Sequence, residues 1–579
     1  MLNQSELTGY PSIDKPWRKY WREQPYREVI VERTVYENIF ELNKSNMEMP
    51  ALGYFGRTIS FTELKEKADI MAWAFRNSRI TAGDVVLVGL PLCPEAIITF
   101  LALDKIGAIS RWFDLRCGVS DISAYLQESN CRIAVTIDGV SKFFSEVIDD
   151  TCLKTVITLN PVESAGSIAK ILYNARNPHT RISDVRFITF KQFLSSAEGN
   201  FYRGCVPYVK DRPTIMLQSS GTTGKPKVIV HTDYSINHMI RKVAFADYPI
   251  GLGIIAFNVI PPWVAYGLVN GTLDLLAMGT KIELFPTLEP NSVYRYIGKY
   301  NAALAVPIHF RYLQDHYSSL SERKRRQLRQ VLFVSGGDKI SIEEIEIWEK
   351  TFGAKILNGY GSSECLGGVC INPFNHNKYG TVGIPRKDIV IAAFDTDTGR
   401  ELGFGESGEL CIRTDSVFLE YLNNPTETSS IKVTHNDGLI WYHTGDLGFV
   451  DEEGYITLLG RTRRVITRAG FKISAYLIEQ KITELDEIAE ACVVEAKDEI
   501  EEHVPFAFIK LKKNVSTEDI TGKVLTKCRK ELKVHEIPKY VKVIEEIPYT
   551  PNRKYDISQL EEMAKEMAKE MAKEMAKEM

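Results

Sequence analysis

The sequence has no pair of cysteines spaced as CxxC, although ten cysteines are scattered over its 579 residues. This absence gives no support for a zinc site or a disulfide framework, and reduced thiols favour a cytoplasmic protein. An excess of either charge is lacking too, because 71 Lys and Arg residues nearly balance 75 Asp and Glu residues and leave a net charge of −4. The balance gives no electrostatic case for nucleic acid, so small molecules are the expected partners.

Long apolar runs are also missing. Residues 85–103 form the longest apolar stretch, but it contains Pro91, Pro94 and Glu95, which indicates a buried strand followed by a helix rather than a transmembrane segment. Residues 1–21 are polar and have no apolar centre, so a secretory signal is not expected. What is present is a globular composition, 44% hydrophobic and 25% charged, on a chain long enough for two or more domains.

Helix and strand patterns alternate along most of the chain. Residues 51–61 predict a hairpin that turns at Gly56, and Thr62 is placed to cap a helix that runs to Phe75. Short apolar runs separated by helical patterns follow at residues 133–137, 155–159, 254–260, 281–285, 303–306 and 331–334. Beyond Gly380 the pattern changes to short alternating strands. The expected fold is α/β, with a large N-terminal domain of two α/β-layered sheets, a β-rich subdomain and a small C-terminal α+β domain.

Changes in composition suggest the domain boundaries. A cluster of cations that begins at Arg461 precedes a new α/β pattern, so the predicted domains span residues 1–459 and 460–558. Residues 559–579 form a low-complexity tail that repeats Glu-Met-Ala-Lys with a period of four. Its strong helix formers, with Glu and Lys three apart, predict a solvated helix without chemistry. A methionine-rich contact surface is the alternative.

A polar loop with the sequence QSSGTTGKPK occupies residues 218–227 between two apolar runs. Its Ser, Thr and Gly residues, followed by Lys225 and Lys227, suit a flexible cradle of backbone N–H groups and ammonium charges around a polyphosphate such as ATP. It is not a Walker P-loop, because Pro226 stands where that motif requires Ser or Thr. Taken by itself, the loop could also be a plain surface turn.

Five motifs carry a resemblance to a known family. In chain order they are SSGTTGKPK, NGYGSSE, YHTGDLG, GRTRRVITRAG and PYTPNRKYD. Together they resemble the adenylate-forming superfamily of acyl-CoA synthetases, peptide-synthetase adenylation domains and luciferases. The resemblance implies an AMP-forming acyl-CoA ligase that uses ATP, Mg²⁺ and CoA, and whose small C-terminal domain is mobile. In this chemistry a carboxylate attacks the α-phosphate of ATP, pyrophosphate leaves, and a thiol then takes the acyl group.

The resemblance also implies roles for individual residues. The phosphates would be held by Ser219, Ser220, Gly221, Thr222, Thr223, Gly224, Lys225 and Lys227. Glu364 would bind Mg²⁺ and Ser363 would donate a hydrogen bond to the α-phosphate. Around the nucleoside, Gly337 and Asn358 would border the adenine, Tyr360 would stack on it, and Asp446 with Arg461 would bind the ribose. Taken singly, Asp446 could be a turn residue, Glu364 a charge at a helix end and Tyr360 a core aromatic residue.

The C-terminal motifs imply three further roles. Lys554 would bridge the substrate carboxylate and the α-phosphate, Arg463 would be the hinge, and Gly470 would line the pantetheine tunnel. Arg553 departs from the family, which usually has glycine immediately before that lysine. Thr467 stands where light-emitting relatives carry a lysine, which argues against luciferase-type oxidation.

The predicted acid pocket consists of Trp263, Val264, Tyr266, Gly267 and Gly361. Acetate-specific relatives carry tryptophan at the position of Gly361, so the glycine is expected to leave room for a medium- or long-chain fatty acid. Val264 replaces the histidine usual at the pocket mouth and leaves an aromatic acid open. Residues 261–267 contain no aspartate that could pair with an amino group, which favours an acid without one. The alternatives are an acyl- or aminoacyl-AMP ligase that loads a carrier protein, and a non-catalytic nucleotide sensor.

Overall fold

The computed structural model describes residues 7–176, 182–197, 199–219, 227–461, 464–468, 471–498, 502–512, 515–517, 519–549 and 555–578. The strands are β1 Pro50–Tyr54, β2 Arg57–Ser60, β3 Val85–Gly89, β4 Ile109–Trp112, β5 Ile133–Ile137, β6 Thr155–Leu159, β7 Phe187–Thr189, β8 Pro213–Gln218, β9 Val228–Thr232, β10 Ile255–Asn258, β11 Lys281–Leu284, β12 Ala302–Ala305, β13 Leu332–Ser335, β14 Ile356–Ser362, β15 Gly367–Ile371, β16 Ile384–Pro385, β17 Val390–Phe394, β18 Gly408–Arg413, β19 Glu420–Tyr421, β20 Lys432–Thr434, β21 Ile440–Val450, β22 Ile456–Arg461, β23 Val465–Arg468, β24 Phe471–Ser474, β25 Ile488–Asp498, β26 Glu502–Leu511 and β27 Tyr540–Val543.

The helices alternate with these strands. They are α1 Pro11–Asp14, α2 Val35–Leu42, α3 Phe61–Asn77, α4 Pro94–Ile106, α5 Val119–Ser129, α6 Asp138–Ser145, α7 Ser167–Arg176, α8 Phe190–Ser195, α9 Asp233–Val243, α10 Asp274–Ala277, α11 Pro290–Val293, α12 Pro307–Asp315, α13 Glu322–Leu328, α14 Ile342–Phe352, α15 Pro425–Ile431, α16 Ala475–Thr483, α17 Ile520–Glu531 and α18 Ile557–Glu578. A π-helical segment, Tyr266–Leu273, leads directly into α10. Among the described residues, no helix combines the length and the apolar content that a membrane crossing needs.

Two large sheets form the N-terminal part. One has nine strands in the order β16-β15-β14-β13-β12-β10-β11-β1-β2, and the other has eight in the order β19-β9-β8-β4-β3-β5-β6-β7. Their central strands pair in parallel, for example β12 with β13 and β3 with β5. Parallel strands are covered by helices on both faces and therefore read as continuous apolar runs, which is why the runs at residues 133–137 and 303–306 were visible in the sequence. The expected α/β layering is confirmed.

The later strands build two smaller sheets. An antiparallel sheet runs β17-β18-β21-β20, with β22 paired to β21, and β25, β26 and β27 form a three-stranded sheet near the C-terminus. Helices α16, α17 and α18 pack on the C-terminal strands. The predicted β-rich subdomain and the small α+β part are therefore both present.

The helix start predicted at Thr62 is wrong by two residues. Ser60 is the N-cap of α3, and its side chain accepts a hydrogen bond from the backbone N–H of Glu63. Thr62 instead donates its hydroxyl to Glu48. Both residues have capping side chains, and the sequence alone did not show that the hairpin strand β2 ends at Ser60.

The prediction of a solvated tail helix is also wrong in part. The tail is helical, but Leu560, Ala564 and Ala568 are buried against strands of the C-terminal sheet that carry Phe506 and Phe508. A repeat of four advances only about 40° beyond one helical turn, so every fourth residue stays on nearly the same face over two or three turns. That is enough to make one packed face.

Candidate active site

A cleft of about 2810 Å³ opens where β12, β13 and β14 end. Val306, Gly337 and Ser362 line it near these strand ends, and Tyr476 and Tyr555 line it from the C-terminal part. Ligands of open parallel sheets bind outside the carboxyl ends of the strands, because the loops there diverge and leave a crevice. The cleft is therefore the place to examine for chemistry.

Asp446 is held between two donors in this cleft. Antiparallel pairing of β21 with β22 sets Asp446 opposite Arg461, whose Nε lies 3.0 Å from Asp446 Oδ1. On the other side, Tyr360 Oη donates to Asp446 Oδ2 over 2.5 Å. The carboxylate raises the pKa of the Arg461 guanidinium, and burial together with Asp446 raises the pKa of Tyr360. The structure thus brings together three residues that were predicted to contact the nucleoside, and fixes the carboxylate as a hydrogen-bond acceptor.

A glutamate that was not predicted supports the backbone next to Asp446. Glu409 Oε1 accepts a hydrogen bond of 2.9 Å from the Gly445 N–H, and Glu409 Oε2 lies 2.9 Å from His443 Nδ1. Together with Cys411, this pair forms a group whose ligand atoms lie within 4.8 Å of one another and could in principle hold a metal ion. Here Glu409 and His443 bond to each other. Glu409 comes from β18, and only the pairing of β18 with β21 brings it here.

Glu364 and Ser363 follow β14 and lie on the cleft wall. Tyr421 Oη donates to Glu364 Oε1 over 2.8 Å, and His231 Nε2 lies 2.8 Å from the Ser363 carbonyl oxygen. Burial lowers the pKa of His231 to about 3, so the ring is neutral and donates its Nε2 proton. A half-buried carboxylate in a wide cleft suits Mg²⁺, which is usually bound by one or two carboxylates, water and substrate phosphates. Tyr421 and the contact of His231 with Ser363 were not predicted, because neither residue belongs to a motif.

The polar loop is closed at its base. Ser219 N–H donates to the Lys227 carbonyl over 2.8 Å, and Lys227 N–H donates to Ser219 Oγ over 2.9 Å. The Lys227 ammonium pairs with Glu427 and lies 4.9 Å from the centre of the Tyr421 ring. Ser219 and Lys227 both line the cleft. The predicted phosphate-binding residues between them, Ser220, Gly221, Thr222, Thr223, Gly224 and Lys225, lie outside the described residues, as do Arg463, Gly470 and Lys554.

Two predicted adenine neighbours differ in their placement. Gly337 lines the cleft, and its φ of +83° explains a glycine there. Asn358 is not part of the described lining, and its side-chain amide donates to the Thr381 carbonyl over 3.2 Å. That side chain therefore bonds to the backbone of a neighbouring segment, and the placement of Asn358 beside the adenine stays a prediction.

Most of the residues predicted to form the acid pocket line the cleft. Trp263, Val264 and Tyr266 line the cleft, and Tyr266 Oη donates to the Val334 carbonyl over 3.2 Å. Gly267 is outside the described lining, and a Cβ there would lie 2.2 Å from the Pro261 carbonyl oxygen. Glycine is needed at this position for close backbone packing at the start of the π-helical segment.

The interpretation of Gly361 as open volume is wrong. Gly361 lines the cleft, but a Cβ on it would lie 1.7 Å from the Gly367 carbonyl oxygen on β15. The absent side chain therefore allows β14 and β15 to approach each other at an irregular register. Tryptophan at this position would separate the strands, so it does not test the size of the pocket.

Comparisons with known proteins identify a family, several relatives and solved structures of similar fold. A family model described as AMP-binding enzyme matches residues 40–422, and a model described as AMP-binding enzyme C-terminal domain matches residues 477–554. A long-chain-fatty-acid–CoA ligase of Bacillus subtilis is 24% identical over 93% of this chain and 96% of its own length. A 4-coumarate–CoA ligase of Arabidopsis thaliana is 26% identical over 79% of this chain and 78% of its own length. The crystal structure of ATP-bound MatB from Rhodopseudomonas palustris has the same fold, with a TM-score of 0.79 and 20% identity over 92% of this chain and all of that one.

Proposed function

This chain belongs to the AMP-binding enzyme family as an ATP-dependent, AMP-forming acid–CoA ligase, and we propose that it activates a medium- or long-chain fatty acid. The observation that carries the activation by ATP is the Asp446 carboxylate, held at the cleft wall between Tyr360 and Arg461. Asp446 accepts hydrogen bonds from the ribose hydroxyls, and Tyr360 presents its ring to the adenine. Glu364 and Lys227 line the same cleft, and in this proposal they contact the phosphates of ATP.

We propose two half-reactions in this cleft. An oxygen of the acid attacks the α-phosphorus of ATP, the bond from that phosphorus to the bridging oxygen breaks, and pyrophosphate leaves. The CoA thiol then loses its proton to solvent, its sulfur attacks the acyl carbon, and AMP leaves. Two anions must meet in the first step, so positive charge has to offset their repulsion. Lys227 and Lys554 supply it from this chain, and Glu364 would hold Mg²⁺, which would add positive charge beside the phosphates.

Apolar side chains support an acid larger than acetate. Trp263, Tyr266, Ile254, Ile260 and Leu275 all line the cleft. Each methylene buried there contributes about 0.8 kcal/mol, or roughly fourfold in specificity. We also propose that the chain is cytoplasmic and that it divides into domains of residues 1–459 and 460–558, with a tail over residues 559–579.

A panel of acids tests this function. AMP and pyrophosphate are measured with ATP, Mg²⁺ and CoA for the series from acetate to decanoate and for benzoate. We expect kcat/KM to rise roughly fourfold per carbon from acetate to hexanoate. An enzyme that prefers acetate to both hexanoate and benzoate would contradict the fatty-acid assignment, and a preference for benzoate would favour an aromatic acid.

Two further outcomes separate the alternatives. Pyrophosphate release that leaves acyl-AMP bound in the presence of CoA identifies a ligase that loads a carrier protein. Nucleotide binding without pyrophosphate release for every acid identifies a non-catalytic sensor.

A further inference from the structure

An oppositely charged pair, Asp274 and Arg386, lines the cleft although the two residues are only 1% and 5% exposed. Arg386 Nη1 lies 3.6 Å from Asp274 Oδ2, which is an ion pair but too long for a good hydrogen bond. Asp274 Oδ1 and Arg386 Nη2 have no hydrogen-bond partner among the described residues. Buried polar groups normally have hydrogen-bond partners, so an unpaired donor beside an unpaired acceptor needs a physical explanation.

The surrounding structure holds this pair in place. Asn270 Nδ2 donates to Asp274 Oδ2 over 3.0 Å, and Asn270 Oδ1 accepts from the Gly368 N–H over 2.8 Å. Arg386 Nη1 donates to the Gly368 carbonyl over 3.2 Å. Both charged side chains are thus tied to the backbone of β15. Asp274 Oδ1 and Arg386 Nη2 therefore belong to side chains whose positions are fixed by other hydrogen bonds.

The pair lies farther along the same helical segment than Tyr266 of the predicted acid pocket. Tyr266, Asn270 and Asp274 are spaced by four residues along the π-helical segment and the start of α10, and all three line the cleft. Such spacing keeps side chains on nearly one face and separates Tyr266 from Asp274 by roughly two helical turns. Tyr248, Leu275 and other apolar residues line the same cleft. An acid whose carboxylate lies near Tyr266 and whose body lies along this face would place its far end at Asp274 and Arg386.

We propose that Asp274 and Arg386 bind a neutral group that both donates and accepts a hydrogen bond, at the end of the substrate acid farthest from its carboxylate. A hydroxyl or a carboxamide satisfies Arg386 Nη2 and Asp274 Oδ1 together. A second carboxylate would be repelled by Asp274, and an ammonium group would be repelled by Arg386. A methyl end would leave Asp274 Oδ1 and Arg386 Nη2 without a hydrogen-bond partner. This inference rests on the proposed acid ligase function and specifies the substrate class as an ω-hydroxy or ω-amide acid with an apolar body.

Four acids of equal length test the proposal on the full-length enzyme. CoA-dependent AMP formation is measured for octanoate, ω-hydroxyoctanoate, ω-aminooctanoate and octanedioate. We expect kcat/KM for ω-hydroxyoctanoate to exceed that for octanoate by about tenfold or more, because only the hydroxyl satisfies the buried groups. Octanoate that is used as well as or better than ω-hydroxyoctanoate overturns the inference and leaves the ligase function standing. A preference for ω-aminooctanoate or octanedioate overturns the inference that the bound group is neutral. Absence of AMP formation with every acid overturns the ligase function itself.

A double variant assigns the preference to these residues. Asp274→Leu with Arg386→Met removes both charges at once, so neither is left buried without its partner. We expect the ratio of ω-hydroxyoctanoate to octanoate to fall to one or below. Because both acids are measured on the same preparation, loss of folded enzyme cancels in the ratio. An unchanged ratio overturns the role of the pair.

A matched control and a milder variant complete the test. Lys281 and Glu283 form an ion pair of 3.3 Å on β11, outside the described lining of the cleft, so Lys281→Met with Glu283→Leu should keep the wild-type ratio. Arg386→Lys keeps the positive charge but lacks the forked donors of the guanidinium, and should lower the ratio. An unchanged ratio in Arg386→Lys contradicts recognition by Arg386 even if the double variant does not fold.

Discussion

Burial decides the protonation of single histidines in this protein. His231 and His309 are 0% and 1% exposed, and burial lowers their pKa values to about 3 and about 4 from an ordinary value of 6.5. Between the lowered pKa of each buried ring and the ordinary value of 6.5, the unfolded chain therefore binds more protons than the folded chain. Stability contributed by the neutral rings is present above pH 6.5 and is lost as the pH falls towards 4.

His309→Gln tests this dependence. The amide can keep a donor for the Leu288 carbonyl and an acceptor for the Val306 N–H, which the ring now contacts over 2.9 and 3.3 Å. We expect the loss of unfolding free energy between pH 6 and pH 5 to be smaller in the variant by roughly 1 kcal/mol, measured by urea unfolding at each pH. His316→Gln, with an exposed ring beyond the end of the same helix, is the control and should keep the wild-type slope. Parallel curves for His309→Gln and the wild type would contradict the burial argument.

At the scale of the element, a simple repeat can carry a packed face. The alanines at positions 564 and 568 of α18 are buried against the C-terminal sheet, while Lys565 is exposed. A charge at an alanine position would lose its water without gaining a partner. Ala564→Glu should therefore destabilise the docked helix by at least about 2 kcal/mol.

Amide hydrogen exchange of β25 and β26 measures this effect. We expect faster exchange in Ala564→Glu because the helix that covers these strands is released. Lys565→Glu also introduces a glutamate into α18, but on its exposed side, so it should leave the amide exchange of β25 and β26 unchanged. Equal exchange in Ala564→Glu and the wild type would show that α18 does not stabilise the sheet.

At the scale of the whole molecule, the cleft takes its lining from distant parts of the chain, for example from Trp112 and from Tyr476. The two half-reactions are therefore expected to depend on different residues of the C-terminal part. Lys554→Ala should lower ATP–pyrophosphate exchange by about 10²- to 10³-fold or more and spare thioester formation from supplied acyl-AMP. Gly470→Leu should do the opposite if Gly470 lines the pantetheine tunnel as predicted, because a branched side chain would obstruct a narrow tunnel.

Lys542→Ala, on the exposed side of β27, is the control for both assays and should retain both half-reactions. If Lys554→Ala lost the two half-reactions equally, the lysine would have a structural role. If Gly470→Leu kept its thioester output, the tunnel would lie elsewhere or the acceptor would not be CoA.

Much of the fold and part of the site could be predicted. The hairpin at Gly56, the parallel strands and the family motifs were visible, because apolar periodicity and turn residues are local properties. The meaning of Gly361 could not be read, because it depends on how closely the backbone of β15 approaches. The capping residue of α3 was predicted wrongly because Ser60 and Thr62 could each have capped the helix.

By itself, the sequence determined that this chain is an α/β protein with the motifs of an adenylate-forming enzyme, since each motif is a short run whose residues act together on one ligand. The tertiary structure alone decided which side chains support them. Tyr421 reaches Glu364 across 57 residues of chain and Glu409 reaches Gly445 across 36. It also paired Asp274 with Arg386 at the cleft wall. Such partners are set by strand register and helix packing over long separations, and no local pattern of residue types records them.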